Sequence, residues 1–177
     1  MIITVSGPPG SGTTTTAEHV AARLEVDLVP GGEVFRAMAA ERGMTLPDFG
    51  RYAADHPEVD VELDARLAAR ARRGDVVIES RLAGWIARNE GLTAVAAFIV
   101  CSPAERARRV AEREAISVEQ ALADNDERQQ VERKRYLALY GIDVDDMSIY
   151  DLVLDSEAFG PDELADHIVA AVRTTFG

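Results

Sequence analysis

The sequence predicts an α/β domain built on a five-stranded parallel sheet flanked by helices. Three observations carry that expectation. Strand-length apolar runs alternate with helix-length amphipathic stretches along the chain. The strands lack a polar face, as in a sheet covered on both sides. The first strand runs straight into Gly7-Pro8-Pro9-Gly10-Ser11-Gly12-Thr13-Thr14, the spacing of a phosphate-binding loop that opens a helix.

Ile2, Ile3, Thr4 and Val5 form the first strand, and a helix follows from Thr13 to Leu24 with Val20 and Leu24 inward. Val26 to Val29 is a second strand, closed by Pro30-Gly31-Gly32. A helix opens at Glu33, turns Val34, Phe35 and Met38 inward, and stops at Gly43. Thr45 caps a short helix with Pro47 in its first turn, and Asp55-His56-Pro57 begins a longer one ending near Gly74. Asp75 to Glu79 and Ala94 to Cys101 are strands three and four. Ser102-Pro103 opens another helix, and Ser117-x-x-Gln120 has the spacing of a capping box for a long helix reaching Tyr140. Gly141 to Ser148 is a polar loop, Tyr150 to Leu154 the fifth strand, and Gly160-Pro161 the start of a last helix striped by Leu164, Ile168 and Val172. Two charged helical stretches, 33–74 and 113–148, exceed a simple crossover. Both leave from the strand ends where such sheets bind ligands, so two flaps over one 1–177 domain are expected.

The chain has 177 residues, 47% of them apolar, enough for one substantial core. No run is long enough for a membrane span, and a strand beginning at Ile2 gives no signal-peptide pattern, so a cytoplasmic location is expected. The single cysteine, Cys101, lies in an apolar run and is expected in the core. A net charge of −12 argues against a nucleic-acid polymer or an anionic membrane as partner. A monomer is expected. Lys134 is the one lysine among 19 basic residues, and arginine in an acidic surface resembles the proteins of salt-loving organisms.

The loop Gly7 to Thr15 turns consecutive backbone N–H groups toward a polyphosphate, and the following helix adds its positive end. Its residues Gly7, Pro8, Pro9, Gly10, Ser11, Gly12, Thr13, Thr14 and Thr15 are therefore candidates for ATP phosphates. Thr13 stands where a lysine is usual. The Thr14 hydroxyl and the strand-end carboxylate Glu79 are candidates for Mg²⁺. Arg36 lies one helical turn after Gly32, and Arg81 directly follows strand three, so both are candidate phosphate ligands. Arg106, Arg109 and Arg113 share one helical spacing and Arg128 and Arg135 another; a solvated face salt-bridged to Glu105, Glu112 and Glu132 is the rival reading. His19, His56 and His167 have no ligand spacing and are read as structural, and Trp85 as a core or flap anchor.

These residues together resemble the cytidylate kinases in their short archaeal form. The resemblance spans the chain and rests on SGPPGSGTTT (6–15), GEVFRAMAAERGM (32–44), HPEVDVELDAR (56–66), ESRLAGW (79–85) and RKRYLALYGIDVDDMSIYDLVLDS (133–156). It implies a P-loop nucleoside-monophosphate-kinase-like fold and ATP·Mg²⁺-dependent phosphorylation of CMP and dCMP. It implies an acceptor-binding insert at 33–74 and a closing lid at 113–148. It places Gly32, Arg36 and Arg81 at the monophosphate, with Arg113, Arg128 and Arg133 as lid arginines. Asp60, Asp64 and Arg66 are candidates for reading the base. Rival readings are a kinase for AMP or UMP, a shikimate- or gluconate-type metabolite kinase, and a nucleotide-binding module without turnover.

Overall fold

Every residue of Ile2–Ser6 is buried, which places this strand, β1, at the centre of the sheet. The computed structural model describes all 177 residues. β2 (Asp27–Pro30), β3 (Val76–Glu79), β4 (Val95–Val100) and β5 (Leu152–Asp155) complete a parallel sheet in the order β2-β3-β1-β4-β5. The register sets Val5 and Pro30 on either side of Glu79. The residues that follow β1, β2 and β3 therefore emerge side by side at one edge of the molecule.

Helices cover both faces, as strands without a polar side require. α1 (Thr13–Leu24) and α8 (Pro161–Phe176) pack on one face around Ile3, Val5, Val20, Ile99, Leu164 and Ile168. The other face is covered by α4 (Glu58–Ala71), α5 (Ala83–Asn89) and the end of α7 (Val118–Tyr140), through Leu67, Ile86, Tyr136 and Ile142. α2 (Gly31–Glu41) and α3 (Leu46–Asp55) join α4 around a small core of Met38, Phe49 and Val59. α6 (Pro103–Glu114) meets α7 where Ala107, Val110, Ala111 and Ala121 allow close approach.

The sequence reading placed most elements within two residues. It assigned nothing between Glu79 and Ala94, where the structure has α5. Seven residues are too few for a clear helical period, and Leu82 at the N-cap makes no side-chain cap. α2 opens at Gly31 rather than Glu33, because Pro30 ends β2 in extended conformation and passes directly into the helix. β2 is an edge strand, where a proline is tolerated. The expected capping box at Ser117 is only half formed. The Ser117 hydroxyl accepts from the Gln120 amide, but the Gln120 side chain donates to Asp124. The polar loop before β5 contains a short 3₁₀ turn, Met147–Ile149. Cys101 lies just past β4 and is half-buried, not in the core.

Candidate active site

The loop after β1 owes its shape to two left-handed glycines, Gly10 at φ +82° and Gly12 at φ +91°. A Cβ on Gly10 would stand 2.8 Å from the Arg106 carbonyl oxygen, so α6 packs directly on the loop. The Ser11 amide donates to the Pro8 carbonyl at 3.1 Å. The amides of Gly10, Gly12, Thr13, Thr14 and Thr15 donate to no protein acceptor. Five free donors at the start of α1 form an anion cradle, strengthened by the helix dipole. The Thr14 and Thr15 side chains are exposed at its rim.

Thr13 turns the other way. Its hydroxyl donates to Glu79 Oε1 at 2.8 Å. Burial pushes the Glu79 carboxyl up, and the Thr13 hydrogen bond and the Arg81 charge oppose that shift. A hydroxyl and a carboxylate beside a phosphate cradle are hard oxygen donors suited to Mg²⁺, which takes few protein ligands and keeps several waters. Thr14 and Glu79 are the residues that would hold it, and the ion would neutralise charge on the phosphate oxygens.

Arg81 leaves β3 and turns inward. Its Nη1 donates to the Gly7 carbonyl, its Nε donates to Glu132 at 2.8 Å, and its Nη2 is buried with no partner. Burial pulls this guanidinium's pKa down, and the Glu132 carboxylate is the largest opposing influence. Glu132, 8% exposed, also accepts from Arg128 Nε at 2.8 Å. Beneath α7, a cavity of about 240 Å³ is bounded by Gly7, Pro8, Arg81, Trp85, Tyr136 and Tyr150, among others. The Trp85 indole N–H is likewise buried without a partner.

Arg36 stands apart from this buried group. It is exposed, with no hydrogen bond or ion pair, and its Nη1 lies 3.7 Å from where a Cβ on Gly32 would be. The guanidinium thus folds back over the first turn of its own helix, whose leading amides have no intrahelical acceptor. Arg36 and Gly32 together add cationic character to the end of β2, next to the Glu79 register position.

On α4, Asp60 and Asp64 face α7. Asp60 lies 3.0 Å from Arg135 Nε, an ion pair without hydrogen-bond alignment. Asp64 accepts from the Tyr140 hydroxyl at 2.6 Å. Burial pushes the Asp64 carboxyl up to about 6 and raises Asp60 as well. Arg66 is committed to Glu41 and Glu62 on the outer side of α4.

The helical arginine rows divide. Arg106 is buried, reaching Pro9 O at 3.5 Å and Gln129 at 3.2 Å. Arg109 is held by Glu105 and by the hydroxyl and carbonyl of Ser156. Arg113 is exposed and pairs only with its neighbour Glu114, while Arg133 pairs with Asp145 at 2.6 Å. Sequence reasoning treated Glu132 only as a surface salt-bridge partner and did not single out Tyr136 or Tyr140. The four-residue spacing of Arg128 and Glu132 was the available signal for the first; nothing local distinguished the tyrosines.

Three comparisons with known proteins bear on this arrangement. Residues 2–158 match the model of the cytidylate kinase-like family. The chain is 46% identical to a cytidylate kinase of Thermococcus kodakarensis over 97% of its own length and 88% of that protein's. It is 45% identical to a cytidylate kinase of Halorubrum lacusprofundi over 97% of its length and 89% of that protein's. Among solved structures, shikimate kinase from Aquifex aeolicus superposes with a TM-score of 0.58 at 15% identity, over 98% of this chain and 97% of that one. At that identity the last likeness shows a shared fold and nothing about substrate.

Proposed function

The chain belongs to the cytidylate kinase-like family, and on that premise we propose that it transfers the γ-phosphoryl group of ATP to CMP and dCMP. The products are ADP with CDP or dCDP. The observation that carries this reading is the near full-length similarity to cytidylate kinases, together with a phosphate cradle that opens beside Arg36 and Arg81.

The acceptor is a phosphate monoester, already largely dianionic at neutral pH, so no general base is required. The barrier lies in bringing two polyanions together and stabilising the migrating group. In this reading the free amides of Gly10, Gly12, Thr13, Thr14 and Thr15 hold the ATP phosphates. Thr14 and Glu79 hold Mg²⁺, and Arg36, Gly32 and Arg81 receive the monophosphate. The 33–74 insert carries the acceptor, with Asp60 and Asp64 as candidates for reading the base. The 113–148 segment closes as a lid and brings Arg113, Arg128 and Arg133 toward the phosphates. The protein acts as a cytoplasmic monomer and is adapted to salt.

A coupled assay for ADP release tests the reading. Turnover is expected with CMP and dCMP, and much slower turnover with AMP. Comparable rates on AMP or UMP, or turnover on shikimate or gluconate, would overturn it.

A further inference from the structure

Two arginines from different elements meet on one buried carboxylate. Arg81, from the end of β3, and Arg128, from α7, each donate their Nε to Glu132 at 2.8 Å, one to each oxygen. The terminal nitrogens are used differently. Arg81 Nη1 is on the Gly7 carbonyl, Arg81 Nη2 is buried with no partner, and the Arg128 terminal nitrogens make no protein hydrogen bond. A buried, unpaired guanidinium nitrogen is costly unless a ligand oxygen completes it. Two guanidinium groups held side by side would repel each other without the intervening carboxylate. With it, the trio keeps one net positive charge, an unused donor nitrogen of Arg81 next to the phosphate cradle, and the unused, solvent-facing terminal nitrogens of Arg128.

We propose that Glu132 is the positioning residue of the acceptor-phosphate clamp, fixing Arg81 and Arg128 by their Nε atoms so that their remaining N–H groups converge on one anion. The proposal rests on the acceptor being a nucleoside monophosphate. Glu132 touches no substrate in this scheme. It orders two long side chains before the phosphate arrives, so less freedom is lost on binding. It also joins the P-loop, through Arg81 and the Gly7 carbonyl, to α7, so placement of the lid helix and of the clamp depend on each other.

The test is Glu132→Ala beside the isosteric Glu132→Gln, read by steady-state kinetics and by calorimetric titration of CMP without ATP. In the Ala variant, KM and Kd for CMP should rise on the order of tenfold or more, as small misplacements of phosphate ligands do. KM for ATP should not change. The Gln variant keeps one acceptor oxygen and should show a smaller rise in the same direction, which preserves the test if the Ala variant does not fold. A lowered melting temperature with unchanged KM for CMP would make Glu132 a structural brace and overturn the proposal. So would a fall in KM, which would mean that the carboxylate competes with the phosphate. A wild-type protein inactive on CMP would instead remove the substrate reading, and this proposal with it.

Discussion

The hydroxyl of Thr13 is committed to Glu79, across 2.8 Å and 66 residues of chain. The residue that breaks the P-loop pattern therefore serves a strand-end carboxylate, and the phosphate cradle is left to backbone amides. A lysine at this position would bring a cation to a carboxyl group that burial has already made harder to ionise. Thr13→Lys should be tolerated, changing kcat by less than about tenfold, since positioning and summed charge dominate phosphoryl transfer. A larger loss in single-turnover kinetics would show that the hydroxyl itself is required.

On the proposed reading the missing P-loop cation shifts weight to the arginines of 113–148, and these differ in how they are held. Arg128 is anchored on buried Glu132, whereas Arg113 is exposed and pairs only with Glu114. Arg128→Ala should lower kcat severely with a modest effect on ATP binding, and Arg113→Ala should do less. Single-turnover rates decide it. If every lid-arginine variant matches wild type, the lid does not compensate for Thr13.

On the proposed reading, Arg36→Ala and Arg81→Ala should each lower kcat/KM on the order of 10²-fold or more, because each would remove charge-assisted contacts to the phosphate of the acceptor. Their stabilities should differ. Arg36 is exposed and makes no hydrogen bond or ion pair that its loss would break. Removing Arg81 leaves Glu132 buried with Arg128 alone, which should lower stability, by less than the roughly 3 kcal/mol of a fully unpaired buried charge. Thermal melts alongside the kinetics check both halves. Near-normal activity of either variant would remove that arginine from the proposed phosphate site.

Asp64 gives a pH-dependent prediction with a definite sign. Its carboxyl is raised from 3.8 to about 6 in the folded protein, first by burial, with the Tyr140 hydrogen bond opposing. The folded state then binds more protons than the unfolded state between these values, so this group's contribution to stability falls as pH rises through that window. Asp64→Asn keeps an acceptor for Tyr140 and cannot ionise. It should be more stable than wild type at pH 7.5, by about 3 kcal/mol at most, and converge with it below about pH 4. Melting curves that do not converge at acid pH would contradict the assignment.

Activity and melting temperature should rise with molar KCl. The net charge of −12 repels itself, and the Debye length shrinks to about 3 Å at 1 M salt. Exposed ion pairs such as Arg23–Asp162 weaken in salt, but pairs of that kind contribute little each. A melting temperature that is flat or falls between low and molar KCl would count against adaptation to salt.

Residues 7–15 were readable because a loop of contiguous residues takes its conformation from its own glycines and from the strand and helix beside it. The placement of Arg36 and Arg81 at one edge was readable because a parallel sheet sends the residues after its strands there, whatever the packing elsewhere. The amphipathic stripe of α8 was equally plain, and its Leu164, Ile168 and Val172 are all buried. Helical spacing could show that Arg128 and Arg135 share a face, but not what that face meets. The packing of α7 against the P-loop and α4 decided that Arg81 pairs with Glu132, that Arg135 meets Asp60, and that Tyr140 donates to Asp64, 76 residues away. Such partners are chosen where two helices exclude water together. An unpaired polar group there is expensive, and the cost depends on three-dimensional neighbours that no local pattern encodes.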